Sequence, residues 1–156
     1  MIFDLMTELS DNQDIHAGSC SSPYSYDTGV RSNYDDAWTG SPLGVGHPGQ
    51  QNVGAGNVVK VLFNIFGATA SSGAPTLQIS LQDSADNSSF STIASSEVFS
   101  VATLQSMNGN FEWEIDVPSP TRRYIQGYYT IGGSGGFSAL SISAHVVLDV
   151  QDARSF

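Results

Sequence analysis

Two glycine-rich motifs are the parts of this sequence that most resemble chemical sites. Residues 44–49, Gly-Val-Gly-His-Pro-Gly, match the dinucleotide-binding fingerprint. That fingerprint works only between a strand and a helix whose N-terminal amides face a pyrophosphate. No apolar strand precedes this stretch, and Pro48 disfavours a helix after it. The motif therefore predicts a loop, and we expect no cofactor.

The second motif, Gly-Gly-Ser-Gly-Gly at 132–136, matches a nucleophile elbow, whose serine needs a strand-to-helix turn near a histidine and a carboxylate. A strand-like segment follows it instead, and His145 lies on the polar face of that segment. Cys20 is the only cysteine, and His16 nearby has no third residue to orient it. The sequence predicts no catalytic residue and a protein that is not an enzyme.

A carboxylate cluster is the remaining candidate for chemistry. Asp83, Asp86 and Asn87 offer oxygen ligands that calcium prefers, but their spacing lacks the turn glycine and the closing bidentate glutamate of a calcium loop. A turn in which these side chains bond to their own backbone is the favoured interpretation, and calcium binding stays the alternative. Asp27 and the pair at 35–36 are predicted to be solvated. We predict no metal site.

Composition limits the class of protein. The 156 residues are 40% hydrophobic and 13% charged, which predicts one globular domain over 1–156. Five basic residues against fifteen acidic ones give a formal net charge of −10, which disfavours binding to nucleic acid or to an anionic membrane. Neither an export signal nor a membrane-spanning run is expected.

Alternating apolar and polar side chains predict an all-β fold, best patterned over 57–151. Strands are expected at 58–66, 76–82, 110–117, 123–131 and 137–150. A turn is expected at 83–88, and the glycine run 132–136 is interpreted as a flexible hairpin turn. One sandwich or barrel accounts for these elements.

The first half of the chain is less regular. Residues 1–15 are predicted to form an N-terminal arm, helical or extended over 1–9, and residues 40–56 to form a long exposed loop. Four aromatic residues between positions 24 and 38 lie in this polar half, where they either form an interface or cap the ends of a sandwich. They are Tyr24, Tyr26, Tyr34 and Trp38.

From about Val58 onwards the order of elements resembles the cement, or decoration, proteins of short-tailed phage capsids. The similar pieces are Leu-Gln-Ile-Ser-Leu-Gln at 77–82, Asp-Ser-Ala-Asp-Asn-Ser-Ser-Phe at 83–90, Arg-Tyr-Ile-Gln-Gly-Tyr-Tyr at 123–129 and Val-Leu-Asp-Val-Gln at 147–151. Shorter similar pieces are Ser-Asp-Asn-Gln at 10–13 and Tyr-Asp-Thr-Gly at 26–29.

The resemblance implies a jelly-roll-like antiparallel β-sandwich that is made in the host cytoplasm and sits on the outer surface of an icosahedral virion. The implied partners are the major capsid protein and further copies of the chain, with a dimer favoured over a trimer. We expect the contacts to involve Ile2, Phe3, Leu5, Met6, Tyr24, Tyr26, Tyr34 and Trp38. The alternative is a carbohydrate- or receptor-binding module of a phage tail, in which the aromatic residues stack on sugars.

Overall fold

The chain forms an all-β domain, as the alternating sequence pattern predicts. In the computed structural model, the residues described are 8–16, 18–27, 59–106, 110–118 and 121–147. Within these ranges no helix has the length and apolar character needed to span a membrane. The elements in chain order are β1 Glu8–Asp14, β2 Cys20–Ser21, β3 Tyr26–Asp27, β4 Lys60–Ser84, β5 Ser91–Ser95, β6 Phe99–Ser100, α1 Val101–Ser106, β7 Asn110–Asp116 and β8 Tyr124–Val147.

Strands β4 and β8 form one long antiparallel ribbon, paired from Lys60 opposite Val147 to Ser84 opposite Tyr124. The segments predicted at 58–66 and 76–82 are therefore parts of one strand. The prediction of a flexible hairpin turn at 132–136 is wrong, because these glycines lie inside β8 and pair with residues 72–76 of β4. Register shifts between Phe66 and Ser72 show where the ribbon departs from regular pairing.

The glycines permit a close approach of the two strands at this irregular middle section. Gly73, Gly133 and Gly135 have φ angles of 72°, 74° and 85°, which L residues with a side chain rarely adopt. A Cβ atom on Gly135 would overlap the carbonyl oxygen of Ser72, and one on Gly133 would overlap that of Ala74. The glycine run therefore serves a tightly paired bend rather than a loop.

The bend divides the ribbon between two four-stranded sheets. The first sheet has the order β7, the first half of β4, the second half of β8, and β1. The second has β5 and β6, the second half of β4, the first half of β8, and β2 with β3. If each half of β4 and of β8 counts as a strand, and β2 with β3 and β5 with β6 each count as one, the chain has eight strands in order. The first sheet then contains strands 1, 8, 3 and 6, and the second contains strands 2, 7, 4 and 5. This is the order of a jelly roll.

The core lies between the two sheets. Tyr129 of the second sheet is 0% exposed and packs edge-on against Phe63 of the first, with 6.3 Å between ring centroids. Its hydroxyl lies 2.8 Å from Ser10 Oγ on β1, so the buried phenol has a hydrogen-bond partner in the opposite sheet. The face predicted to be apolar in β8 is buried at Leu140, Ile142, Ala144 and Val146.

Other predicted details are confirmed. Leu77, Ile79 and Leu81 are each 0% exposed, and the acidic residues of β7, Glu112, Glu114 and Asp116, are exposed. Helix α1 was not predicted from the sequence. Ser100 caps it by accepting a hydrogen bond from the backbone N–H of Thr103 at 3.1 Å, and Leu104 anchors it in the core.

Candidate interaction surfaces

Three connections meet at one end of the sandwich, away from the glycine bend. We call residues 22–25, 84–90 and 121–123 the loop end. Ser25 Oγ donates a 2.7 Å hydrogen bond to Oδ1 of Asn87, which joins the first two connections although 62 residues separate them. The turn predicted at 83–88 is present here, with Asn87 at a φ of 58°. Side chains rather than regular pairing thus organise this end.

An ion pair with a buried carboxylate fixes the third connection. Arg122 donates from its backbone N–H to Oδ2 of Asp83 at 2.9 Å and from Nε to Oδ1 at 2.8 Å, and its Nη2 also donates to the carbonyl oxygen of Asp83 at 2.7 Å. The Asp83 side chain is 5% exposed, whereas that of Arg122 is 41% exposed. These hydrogen bonds hold the pKa of Asp83 below its ordinary value. The crossing from β7 to β8 is thereby tied to the end of β4.

A bidentate ion pair fixes the end of β3. Arg123 Nε donates to Oδ1 of Asp27 at 2.9 Å, and Nη2 donates to Oδ2 at 2.8 Å. The Arg123 guanidinium also lies 5.0 Å from the centroid of the Tyr124 ring, a cation–π geometry. Asp27, predicted to be solvated, therefore has a structural partner.

The carboxylate cluster forms the predicted self-bonded turn. Asp86 Oδ1 accepts hydrogen bonds from the backbone N–H groups of Ser88 and Ser89, each at 3.0 Å, and from Ser84 Oγ at 2.9 Å. These donors lower the pKa of Asp86. Asp83 forms an ion pair with Arg122, so the side-chain oxygens that could bind calcium have hydrogen-bond partners within the protein. Within the described ranges, no group of three His, Cys, Asp or Glu residues could hold a metal ion.

The predicted contact residues are placed differently from one another. Tyr24 is 57% exposed at the loop end. Tyr26 is 3% exposed within the core, so its prediction as a contact residue is wrong: it lies on β3 opposite Ile125, with its ring in the apolar interior. The other six predicted contacts lie outside the described residues, as do 1–7 of the arm and the loop at 40–56. They are Ile2, Phe3, Leu5, Met6, Tyr34 and Trp38.

The arm itself contains regular structure. Its residues 8–14 form β1, an edge strand of the first sheet, and Leu9 is 0% exposed. A deletion of the arm that includes Leu9 would therefore remove a core residue as well as any contact surface.

The residues with chemical potential are dispersed. Cys20 on β2 is half-buried, and burial raises the pKa of its thiol. Ser134 lies within β8, with strand on both sides. His145 is half-buried on the face away from the core, opposite Glu8 and Leu62, and burial lowers its pKa despite nearby carboxylates. Among the described residues, these reactive groups do not share one site. The side chains that lie together are the ion pairs and exposed residues of the loop end, which suit binding.

Sequence reasoning missed the two arginines at the loop end. The chain has five basic residues, and the three that the structure describes, Lys60, Arg122 and Arg123, all form ion pairs. The sequence does contain a signal for these ion pairs: basic residues are scarce, and two of them are adjacent and lie just before a strand. Their acidic partners lie 39 and 96 positions away, which no local pattern reveals.

Comparison with known protein families identifies a match. The model of the Bbp16 family matches residues 43–146, two-thirds of the 156-residue chain, and these include β4 to α1, β7 and nearly all of β8. No curated protein matches the chain. The chain belongs to the Bbp16 family, whose name indicates a phage-related protein.

Proposed function

We propose that this protein is a structural component of a phage virion. It binds the outer surface of the icosahedral capsid and stabilises contacts between neighbouring major capsid proteins. Membership of a phage-related family and the jelly-roll topology support this function, together with the resemblance of the sequence to capsid cement proteins. The proposal requires no reaction, cofactor or metal.

The observation that carries the proposal is the construction of the loop end. Two arginine–carboxylate ion pairs and the Asp86 turn hold three connections in fixed positions, and Tyr24 projects from this end into solvent. A surface ordered before binding loses little conformational entropy when a partner docks. Exposed tyrosine with polar neighbours is typical of protein interfaces.

Charge favours the outer surface. The chain carries a net charge of −10, and three carboxylates, those of Glu112, Glu114 and Asp116, lie on the outer face of the first sheet. A protein lining the genome side would meet DNA phosphates at close range and would be repelled by them. The proposed oligomer is a dimer, a symmetry common among soluble homo-oligomers.

A tail module that binds carbohydrate is the second candidate. Exposure of Tyr24 favours it, because an exposed ring can stack on a sugar. Tyr26, the next aromatic residue along the chain, is buried and cannot contribute to such a platform. Binding of the purified protein to a glycan array would favour this candidate.

We expect Tyr24→Ala to weaken binding of the purified protein to capsids that lack it by about tenfold, because buried aromatic side chains dominate many interfaces. The free energy of unfolding should change by less than about 0.5 kcal/mol, since the side chain is exposed. Cosedimentation with cement-free capsids measures the first quantity, and urea denaturation the second.

His16→Ala is the matched control, because His16 is also exposed but lies at the glycine-bend end, where its carbonyl accepts from Phe137 N. It should bind capsids like the unaltered protein. Equal binding by the Tyr24 variant would remove the loop end from the proposed contact, and failure of the unaltered protein to bind any capsid would refute the proposed function.

A further inference from the structure

The two lateral sides of the sandwich are built differently. On one side, β1 of the first sheet meets β2 and β3 of the second: Tyr24 N donates to Leu9 O at 3.2 Å, and Gln13 Nε2 donates to Ser21 O at 3.0 Å. Apolar residues along this side are buried, among them Leu9 and Ile15. Hydrogen bonds between the sheets therefore close this side.

In the part of the chain that the structure describes, the other side is open; it is formed by β7 of the first sheet and β5 with β6 of the second. Within the described ranges β7 pairs with β4 alone. Most apolar residues that touch the core without being buried lie on this side, and Val98, between β5 and β6, is 58% exposed. The partly buried residues of this side include Ile93, Ala94, Trp113, Ile115 and Val117. We call this the open side.

The phase of pairing shows which backbone groups of β7 face outwards. Val117 N donates to Val59 O at 2.8 Å, so these opposite residues form a hydrogen-bonded pair. Hydrogen-bonded pairs alternate with non-hydrogen-bonded pairs along an antiparallel ladder, so residues 113 and 115 also form hydrogen-bonded pairs with β4. The N–H and C=O groups of Glu112, Glu114 and Asp116 therefore point away from β4, towards the edge of β7 on which no described strand pairs. The same three residues place carboxylates on the outer face of the sheet.

We infer that the β7 edge binds an extended segment of a partner protein, in which lysine or arginine alternates with apolar residues. Such a strand would pair with the outward backbone groups of β7 and extend the first sheet. Its basic side chains would lie beside the three carboxylates, and its apolar side chains would cover Trp113 and Ile115. The identity of the partner as the capsid shell protein rests on the proposed function.

A second copy of the chain does not fit this edge. Antiparallel pairing of two β7 strands through their outward groups would set the acidic residues 112, 114 and 116 opposite one another, and like charges directly opposite destabilise a strand pair. Lys60, which forms ion pairs with Glu114 and Asp116, already offsets part of the negative charge. Of these three carboxylates, Glu112 is therefore the one whose negative charge is least offset by Lys60.

The test uses the whole protein and a synthetic peptide of alternating lysine and valine, labelled for fluorescence anisotropy. We expect binding that weakens with salt. Glu112→Pro should reduce it by about tenfold, because proline removes an outward N–H without removing a bond to β4. Glu112→Gln, which keeps that N–H, should reduce binding less. Should the proline variant fail to unfold cooperatively, Glu112→Lys compared with Glu112→Gln tests the same edge.

Two results would overturn the inference. One is absence of peptide binding; the other is equal binding of a lysine–proline peptide of the same charge, which cannot pair as a strand. Cosedimentation with capsids separates this inference from the proposed function. Capsids that bind the unaltered protein and Glu112→Pro equally would exclude the edge from shell binding and leave the proposed function intact. Peptide binding without capsid binding would sustain the edge and refute the proposed partner.

Discussion

Replacing Gly135 with alanine should lower the free energy of unfolding by about 3 kcal/mol, through backbone strain and overpacking together. At its φ of 85° a residue with a side chain is strained, and the added Cβ would overlap the carbonyl oxygen of Ser72. That oxygen belongs to the backbone of the paired strand, so it cannot move without disturbing the bend. Urea denaturation followed by far-ultraviolet circular dichroism measures the change.

Gly67→Ala is the matched control. Gly67 also has a positive φ, 66°, on β4 near the bend, but nothing lies within 4 Å of an added Cβ there. It should lose only about 1 kcal/mol, the cost of the backbone conformation alone. Equal losses at the two positions would show that the close approach of β4 and β8 at Gly135 contributes nothing.

The second large effect is expected at Asp83. Asp83→Asn should lower the free energy of unfolding by about 2 kcal/mol at neutral pH, because charge-assisted hydrogen bonds to a buried carboxylate are lost and an amide N–H₂ faces the Arg122 donors. The effect should depend on pH. The pKa of Asp83 is lower in the folded protein than its ordinary 3.8, so the stabilisation is present above that value and is lost as the pH falls through the folded pKa.

Urea denaturation of both proteins between neutral and acidic pH measures this difference. The gap between them should be constant well above pH 3.8 and should narrow below it. Asp116→Asn serves as the control, since its side chain is 68% exposed and lies 3.7 Å from Lys60; a surface pair of this kind stabilises little. A gap that stayed constant down to the lowest pH at which the protein folds would contradict the assignment.

The local pattern of side chains predicts the structural features that depend only on residues close together in the sequence. The alternation at Leu77, Ile79 and Leu81 specifies a strand with one buried side, and the acidic face of β7 specifies a strand with one side in solvent; both are present. The turn with Asp86 was predictable because short polar side chains bond within a few residues of themselves. These features were sufficient for the all-β class.

Predictions from the sequence are wrong where contacts between strands that are distant in the chain determine the structure. The glycine-rich run 132–136 predicts a hairpin turn, because glycine tolerates positive φ in turns and in tightly paired bends alike. Only the partner residues 72–76 distinguish the two. Tyr26 read as an exposed aromatic because its neighbours are polar; its pairing with β8 places it in the core. The pair of Asp83 with Arg122 spans 39 positions. Helix α1, with six residues, is too short to show a periodicity.

We propose that this jelly roll is a structural protein of the capsid surface, and its copy number in the virion tests that function most directly. Quantitative mass spectrometry of separated head and tail fractions should find the chain with the heads, at a number of copies comparable to that of the major capsid protein. Recovery of only a few copies, with the tail fraction, would contradict the claim and favour the tail module.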